Sequence, residues 1–259
     1  MPSDYSVSEL MACIIARDLS NADQVAFGLY AQVGLAAAAI AQALYAPGLQ
    51  IRHGLRIERG IELNPPAWTD KKFTRTPWLV EKVESHDLML TLGNRSNPCR
   101  FCNVFFVGGM QIDQYGNTNL IGIKGEKGKM KVRGPGSIGT SSIAALVDKC
   151  YIFSFEHSKK RFVEKVDFVS VVGHDKGQGG PKWCLTPLGI FDFNPQGKMR
   201  LKSIHPGVSL KEIVEKTGFS IDLPQNPPVT PLPTKEELEI LQKIDPEGEL
   251  KALDRQVRI

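Results

Sequence analysis

An alanine-rich segment close to the start of the chain narrows the possible folds. Residues 32–45 carry few bulky side chains and favour a helix that can pack closely against a sheet. They follow the apolar run DQVAFG at residues 23–28, which is typical of a short buried strand. A strand, a loop and a helix in this order predict that the chain opens as an α/β fold.

Pairs of hydroxyl and acidic residues predict where further helices begin. Ser6 precedes Glu9 by three positions, which is the spacing of a capping box that satisfies the first amides of a helix. The same spacing recurs twice near the end of the chain, at residues 209–212 and 234–237. A further helix is predicted after the glycine-rich stretch, at residues 140–149. The three helices with capping boxes are predicted to cover residues 7–20, 209–216 and 234–243.

Apolar and alternating runs predict the remaining strands. They cover residues 49–57, 103–113, 118–123, 151–155, 161–172, 188–193 and 199–204. Residues 161–172 alternate apolar and polar side chains, as a half-exposed strand does. The last two strands flank Asn194-Pro195-Gln196-Gly197, which predicts a hairpin turn. The apolar residues within 61–98 follow neither the helix nor the strand period. We predict an irregular segment there with a short helix near residues 79–85.

Length and composition predict one soluble domain. The 259 residues are 42% hydrophobic and 23% charged, enough to bury a substantial core. We predict a single domain over residues 1–259, with a proline-rich strap and a terminal helix at residues 224–259. The net charge of +4 favours an anionic ligand such as a phosphorylated cofactor, but it is too small to indicate nucleic-acid binding.

Cysteine usage and hydropathy indicate the cytoplasm. Five scattered cysteines, an odd number, are typical of reduced thiols. The first eight residues do not resemble a signal peptide. The apolar stretch Val33–Leu44 is too short to cross a bilayer, so we expect no membrane partner.

The segment Gly134-Pro135-Gly136-Ser137-Ile138-Gly139 matches the GxGxxG pattern and precedes a predicted helix. In a dinucleotide fold such glycines approach a pyrophosphate, and Glu156 at the end of the next strand would bind the ribose. The preceding segment is short and basic, whereas a nucleotide site starts from a buried strand. A structural turn and a loop that binds an anion or oxyanion are the other two interpretations.

Other chemistry-bearing residues have structural alternatives. Cys99 and Cys102 have metal-ligand spacing, but a tetrahedral zinc site needs two more ligands, so neighbouring thiols are the simpler interpretation. The five histidines are dispersed and no GxSxG motif accompanies them, so a serine hydrolase is unsupported. Taken by itself, His157 after a strand end is more typical of a structural histidine than of a catalytic one. The basic run at residues 124–133 lacks interleaved aromatic residues and is typical of a solvated loop.

The segment FVGGMQIDQYGNTN at residues 106–119 resembles the β subunits of family I CoA-transferases. Within that family it is similar to the glutaconate CoA-transferase type and to the related steroid-ring-degrading hydrolase. Matching segments occur in order along nearly the whole chain. They are Tyr45-Ala46-Pro47, the glycine motif at residues 134–139, HSKKRF at residues 157–162, KVDFV at residues 165–169, and Thr217-Gly218-Phe219.

The resemblance implies a fold, a partner and a substrate. The fold would be a three-layer α/β domain with a mainly parallel central sheet and added hairpins. The partner would be a similarly folded α subunit, usually in an α2β2 heterotetramer with the active site between subunits. The substrate would be an acyl-CoA, so coenzyme A enters with the substrate and no cofactor is bound permanently.

The resemblance also implies which residues form the site. The backbone amides of Gly134 and Gly136 would stabilise the thioester oxygen as it gains negative charge. Gly108, Gly109, Gln111 and Ser137 would contact the substrate.

One position departs from the family pattern. In transferases of this group a β-subunit glutamate attacks the thioester and carries coenzyme A covalently. It follows the Ala-Pro pair at the end of a strand, where this chain reads IRHGLRIERG at residues 51–60. The ungapped match places Gly54 there, and a two-residue deletion places Arg52 there. The nearest carboxylate, Glu58, comes four residues too late.

Three functional hypotheses follow. The first is a hydrolase of the steroid-ring-degrading kind, in which water cleaves a thioester or a ring C–C bond with a base from the α partner. The second is CoA transfer with Glu58 or an α-subunit carboxylate as nucleophile. The third is a non-catalytic subunit that binds coenzyme A or stabilises its partner. We favour the hydrolase.

Overall fold

The computed structural model describes residues 5–27, 31–53, 56–58, 102–126, 129–137, 139–176 and 179–256. The chain divides into two compact units, one of residues 1–106 with 231–259 and one of residues 107–230. The first elements are α1 (Val7–Ala16), β1 (Gln24–Ala26), α2 (Gln32–Leu44), β2 (Gln50–His53), β3 (Arg56–Glu58) and β4 (Val104–Val107). They are followed by β5 (Gln111–Ile112), β6 (Thr118–Asn119), β7 (Gly122–Lys124), β8 (Met130–Arg133), α3 (Thr140–Leu146) and β9 (Lys149–Phe153). The last are β10 (Trp183–Thr186), β11 (Gly189–Phe193), β12 (Met199–Ile204), α4 (Leu210–Lys216), α5 (Lys235–Ile244) and α6 (Glu249–Gln256).

The first unit is built on parallel strands covered by the alanine-rich helix. Strand β1 pairs in parallel with both β2 and β4. The alanines at positions 36–39 and 41 of helix α2 are buried. Gly34 on the same helix lies so close to Phe106 that a Cβ atom on it would be 2.6 Å from the phenyl ring. The predicted strand and alanine helix are therefore confirmed, and small side chains allow the close approach.

The prediction of one strand over residues 49–57 is wrong in one respect. Two strands occur there, because β2 turns back and pairs antiparallel with β3, with His53 opposite Arg56. A change of direction within a run of similar residues leaves no clear periodic signal.

Helix α5 of the first unit is held by an ion pair with a buried carboxylate. Glu237, whose side chain is fully buried, accepts hydrogen bonds from Arg17 Nε and Nη2 at 2.8 and 2.6 Å and from the Tyr45 hydroxyl at 2.8 Å. The same glutamate closes the predicted capping box of α5 with Thr234. One residue thus caps one helix and joins it to two others. Helix α6 was not predicted, and Asp254 on it accepts hydrogen bonds from the amides of Val7 and Ser8.

The second unit contains a run of neighbouring strands and two small hairpins. Strand β9 pairs in parallel with β10, and β10, β11 and β12 pair antiparallel in succession. The predicted turn at Asn194 is confirmed, because its side chain accepts hydrogen bonds from the amides of Gln196 and Lys198. Strands β5 and β6 form one hairpin and strands β7 and β8 form another.

The prediction of a half-exposed strand over residues 161–172 is wrong. This segment forms no strand ladder and pairs with the β5–β6 hairpin at two isolated bridges, through Phe162 and Val171. Two of its polar side chains make hydrogen bonds inside the unit: Asp167 with Gln111 and with the amide of Lys124, and Ser170 with the amide of Leu120. The alternation therefore reflects packing against a hairpin rather than a strand ladder.

The fold class agrees with the sequence prediction. The protein has a mixed α/β fold with a mainly parallel central sheet and added hairpins. The irregular segment and short helix predicted within residues 61–98 lie outside the described residues, and the single domain over residues 1–259 stays a prediction. Within the described ranges, no helix has the length and apolar character needed to cross a bilayer.

Candidate functional site

The GGMQIDQYGNTN segment at residues 108–119 forms a buried polar cluster. Asp113 accepts hydrogen bonds from the amides of Tyr115 and Asn117 and from the Asn117 side chain, at 3.0 to 3.2 Å. Burial raises the pKa of Asp113 although these hydrogen bonds act in the opposite direction. Gln111 accepts from Asn119 Nδ2 at 2.7 Å and donates to Asp167 at 3.2 Å. The segment is therefore a rigid scaffold.

Asn119 connects this scaffold to the glycine motif. Its Oδ1 atom accepts from the amides of Ile121 and Gly122, and its Nδ2 atom donates to the Gly122 carbonyl. The carbonyls of Leu120 and Ile121 then accept the amides of Gly136 and Gly134, at 2.9 and 2.8 Å. Asn119 thus fixes the conformation of residues 120–122, and the carbonyls of residues 120 and 121 hold the glycine loop by hydrogen bonds. Only the folded chain reveals this link.

The amides of Gly134 and Gly136 correct a sequence prediction. We expected both to be available to a thioester oxygen, but both already donate to carbonyls of the chain. Their glycine character has other causes. A Cβ atom on Gly134 would be 2.2 Å from the Leu120 carbonyl oxygen, whereas Gly136 has open space around it and a φ of +86°. Gly134 permits close approach and Gly136 permits the left-handed turn.

Ser137 is the predicted site residue that the loop leaves available. Its carbonyl accepts the amide of Thr140 at 2.8 Å, which starts helix α3. The side chain is half-buried and has no hydrogen-bond partner among the described residues. Helix α3 itself contains no buried residue. The loop and the helix after it are thus open to a ligand or a partner.

Gly108, Gly109 and Gln111 were predicted to contact substrate, and the structure gives two of them internal contacts. A Cβ atom on Gly109 would be 2.3 Å from Thr118 Cγ2, and the Gly109 carbonyl accepts a hydrogen bond from Arg161 Nη1. Gln111 is buried with both ends of its amide bonded. Gly108 has ordinary space around it, with the nearest atom at 3.7 Å from a Cβ position.

Glu156 belongs to an ion-pair cluster beside the Gly108–Gly109 turn. It pairs with Arg161 Nη2 at 3.0 Å and accepts a hydrogen bond from the Ser158 hydroxyl. Partial burial raises the pKa of this carboxyl, but Ser158 and Arg161 outweigh that effect and hold the pKa below its usual range. Glu156 is therefore an anion engaged with the chain, and Arg161 is a site neighbour that the sequence did not single out.

This arrangement does not fit a dinucleotide site. The glycine motif follows β8, which is exposed along its length and pairs antiparallel with β7. A dinucleotide motif follows a buried parallel strand, and its acid must be available to the ribose. Glu156 is paired with Arg161 instead.

His157 is a buried structural residue. Its ring nitrogens lie 2.9 Å from Thr186 Oγ1 and 3.0 Å from Thr217 Oγ1, and the ring stacks on Phe162 with centroids 3.9 Å apart. Burial, with a smaller effect from Lys216, lowers its pKa to about 3. The imidazole is neutral at physiological pH, and the structural interpretation from the sequence agrees with this environment.

The nucleophile position lies at the carboxyl end of β2. Parallel strands of α/β folds bind ligands at this end, so the position is suited to chemistry. Gly54 lies outside the described residues, and the backbone of Arg52 pairs opposite Ile57. The backbone of Glu58 is paired opposite Ile51, within strand β3 rather than in the connecting turn.

Metal ligation finds no support within the described ranges. No group of three or more potential ligands occurs there. Cys102 is buried, and Cys99 lies outside the described residues. A polar cleft of about 530 Å³ in the second unit is lined by Gln114, Glu164, Lys198 and residues 217–220, and the glycine loop does not line it.

Comparison with known proteins agrees with the resemblance. The family model described as Coenzyme A transferase matches residues 76–216. The B subunit of glutaconate CoA-transferase from Acidaminococcus fermentans is 29% identical over 238 residues, covering 85% of each chain. The cholesterol ring-cleaving hydrolase IpdB subunit of Rhodococcus jostii is 30% identical over 167 residues, covering 59% of this chain and 62% of that protein.

Solved structures share the fold at low sequence identity. Glutaconate coenzyme A-transferase of Acidaminococcus fermentans superposes with a TM-score of 0.74 and 24% identity, covering 96% of this chain and 98% of that one. Rhodococcus jostii IpdAB superposes with a TM-score of 0.72 and 21% identity, covering 99% and 100%. The decarboxylase AibA/AibB reaches 0.75 with 22% identity, covering 96% and 99%. The same fold thus carries transferase, hydrolase and decarboxylase names.

Proposed function

The chain belongs to the coenzyme A transferase family, and from that premise we propose that it is the β-type subunit of a two-subunit acyl-CoA hydrolase. The relatives it matches are named as the B subunit of a transferase and as the IpdB subunit of a hydrolase, which supports an α partner. In the proposed reaction, water would cleave the thioester or a ring C–C bond of an acyl-CoA.

One sequence observation carries the choice of hydrolysis. Covalent CoA transfer requires a carboxylate that attacks the thioester and then holds coenzyme A as an enzyme thioester. Residues 52–57, which follow the Ala-Pro pair and span the end of β2, read RHGLRI and contain no carboxylate. Without that group this chain cannot form the anhydride, so the attacking oxygen is assigned to water.

We assign the glycine loop to contact with the acyl-CoA, but its residues have roles that differ from those predicted from the sequence. Gly134 and Gly136 fix the path of the loop, since their amides hold it to residues 120 and 121. Ser137 supplies the available donor, a hydroxyl that can hydrogen-bond an oxygen gaining negative charge. The general base would come from the α subunit.

Coenzyme A transfer is the second candidate, because most of the chain aligns with a transferase subunit. It requires Glu58 to leave its place in β3 or the α subunit to provide the nucleophile. A non-catalytic subunit is the third, and an α subunit without a carboxylate near the loop would favour it.

A trapping experiment tests the assignment. The assembled complex is incubated with an acyl-CoA and borohydride, which reduces a glutamyl thioester and inactivates a transferase. We expect the mass of this chain and the activity of the complex to remain unchanged, because no glutamyl thioester forms on it. Reduction of the Glu58 carboxyl to an alcohol, with release of coenzyme A and mapped by mass spectrometry, would replace hydrolysis by transfer.

Substitution of Glu58 gives an independent check. Loss of a covalent nucleophile costs several orders of magnitude in kcat. We expect Glu58→Ala to change kcat by less than about threefold, since Glu58 is flanked by Arg56 and Arg59 in the sequence as surface ion-pair residues are. Product analysis with and without an acceptor acid then distinguishes hydrolysis from transfer.

The assembly and its location belong to the same proposal. An α2β2 heterotetramer in the cytoplasm is the arrangement expected of the family, with coenzyme A arriving as part of the substrate. Mass photometry of the co-expressed complex tests the stoichiometry, and a single αβ pair would contradict it.

A further inference from the structure

The hairpin that leads into the glycine loop carries an exposed cationic edge. Lys129, Lys131 and Arg133 are exposed, and the last two lie on β8, whose four residues are all exposed. Among the described residues none of the three forms an ion pair with a carboxylate. Glu126 is the described acidic residue of the hairpin, and it too is exposed.

The position of this edge relative to the loop is fixed by the backbone. Arg133 pairs opposite Gly122 and immediately precedes Gly134, whose amide donates to Ile121. Lys129 lies in the hairpin turn just before β8, five positions before Gly134, a span of at most about 16 Å for an extended chain. The cations therefore lie in a row that starts at the loop assigned to the thioester.

Lys124, on the neighbouring strand, is partly engaged. Its ammonium group lies 4.9 Å from the centre of the Phe168 ring, and its amide donates to Asp167. This contact fixes β7 and leaves β8 as the strand with unpaired cations among the described residues of the hairpin.

We propose that Lys129, Lys131 and Arg133 bind the phosphate groups of the coenzyme A portion of the substrate. Coenzyme A carries a diphosphate and a 3′-phosphate at one end and the thioester at the other, separated by the extended pantetheine arm. The row runs away from the thioester loop by up to about 16 Å, so its far end can meet the phosphates while the loop holds the thioester. Arginine and lysine side chains are the usual partners of phosphate in proteins.

This inference rests on the proposed function for the identity of the ligand. An acidic surface of the α subunit is a different class of partner for the same cations. Phosphate is favoured because Lys131 and Arg133 lie on the strand that leads directly into the glycine loop, and Lys129 immediately precedes that strand.

Binding measurements on the full chain, alone and with its α subunit, test the proposal. Calorimetry compares coenzyme A, 3′-dephospho-coenzyme A and pantetheine for the wild type and for the double variant Lys131→Gln/Arg133→Gln. We expect the Kd for coenzyme A to rise about tenfold or more, the Kd for dephospho-coenzyme A to rise less, and the Kd for pantetheine to change by less than about twofold. The wild-type affinity for coenzyme A should weaken with salt.

A matched control carries the same loss of charge elsewhere. Lys159 and Lys211 are exposed residues of the same unit, so Lys159→Gln/Lys211→Gln should leave the affinity for coenzyme A unchanged. Equal affinities for coenzyme A in both double variants would overturn the proposal. So would a variant that loses assembly with the α subunit while it keeps its affinity for coenzyme A.

The test separates this inference from the proposed function. Trapping of an enzyme thioester on Glu58 would refute hydrolysis while the phosphate site remained supported by the binding data. Normal hydrolysis with no change of coenzyme A affinity in Lys131→Gln/Arg133→Gln would refute the phosphate site alone.

Discussion

Two neighbouring glycines of the loop, Gly134 and Gly136, serve different physical purposes in this protein. Gly134 lies where any side chain would overlap the Leu120 carbonyl, and Gly136 lies in open space with a left-handed backbone. A substitution at Gly134 therefore disturbs the scaffold, whereas one at Gly136 acts on the loop itself. The second is the better probe of function.

We expect Gly136→Val to reduce acyl-CoA turnover of the assembled complex by about a hundredfold or more, with assembly retained. A branched side chain at a φ of +86° costs about 1–2 kcal/mol and displaces the loop that presents Ser137. Steady-state kinetics and gel filtration measure the two properties.

Gly207→Val is the matched control for this experiment. Gly207 has a φ of +81° and equally open space, but it lies in the turn between β12 and α4. It should show the same loss of thermal stability with near-normal kinetics. Wild-type rates in Gly136→Val would show that the loop does not contact the substrate.

The buried histidines predict how stability depends on pH. Burial lowers the pKa of His157 to about 3 and that of His205 to about 4. In the unfolded chain both titrate near 6.5, so the unfolded state binds more protons between these values. Their contribution to stability is complete above pH 6.5 and is lost as the pH falls toward 3 to 4.

We expect the free energy of unfolding to fall by up to about 1.4 kcal/mol per pH unit for each of these histidines. Urea denaturation of the wild type and of His157→Gln at several pH values between 7 and 4 measures this. The variant is less stable at every pH. The slope of its free energy of unfolding against pH should be smaller by the contribution of one bound proton. An unchanged slope would mean that His157 is protonated in the folded state.

At the level of elements, the attachment of α5 depends on Glu237. Its carboxylate caps α5 and pairs with Arg17, which also donates to the carbonyls of residues 231 and 232. Burial raises the pKa of Glu237, but hydrogen bonds from Arg17, Thr234 and Tyr45 lower it further than burial raises it. The proline-rich strap is thereby fixed at its end.

We expect Glu237→Gln to lower the free energy of unfolding by about 2–3 kcal/mol. It removes the charge of a fully buried group and leaves Arg17, which is only partly exposed, without its counterion. Urea denaturation measures the loss.

Glu239→Gln is the control on the same helix. Glu239 pairs with Lys235 at 3.7 Å on the surface, with both side chains more than half exposed. Such pairs contribute little, so the change should stay below about 0.5 kcal/mol. Equal effects of the two substitutions would show that the buried pair does not stabilise the helix.

The hairpin β5–β6 is the element that supports the candidate site. Asn119, Gln111 and Asp113 make their hydrogen bonds inside the unit. Gln111 bonds to Asn119 and Asp167 and so supports the backbone that holds the glycine loop, while its predicted contact with substrate stays a prediction. Residues of this kind are often as important as those that touch the ligand.

For the whole molecule, the incomplete site predicts dependence on a partner. The chain supplies a loop and a donor, but it offers no nucleophile with an adjacent base among the described residues assigned to the site. We expect the purified chain to turn over no acyl-CoA and the co-expressed complex to be active. Turnover by the chain alone, measured by thiol release, would contradict the proposed function.

The sequence determined the local features of this protein and its family. The capping boxes at Ser6 and Thr234, the alanine helix α2 and the hairpin turn at Asn194 depend on neighbouring residues, so their patterns were sufficient. The family was recognisable because its motifs occur in order along the chain, and comparison with known proteins confirmed it.

The tertiary structure decided how polar groups pair. The amides of Gly134 and Gly136 and the guanidinium of Arg161 each find a partner that is distant in sequence. A glycine motif specifies flexibility and not the acceptors of its amides. Hydrogen-bond partners follow from three-dimensional proximity, which residue spacing along a single chain does not encode for non-local contacts.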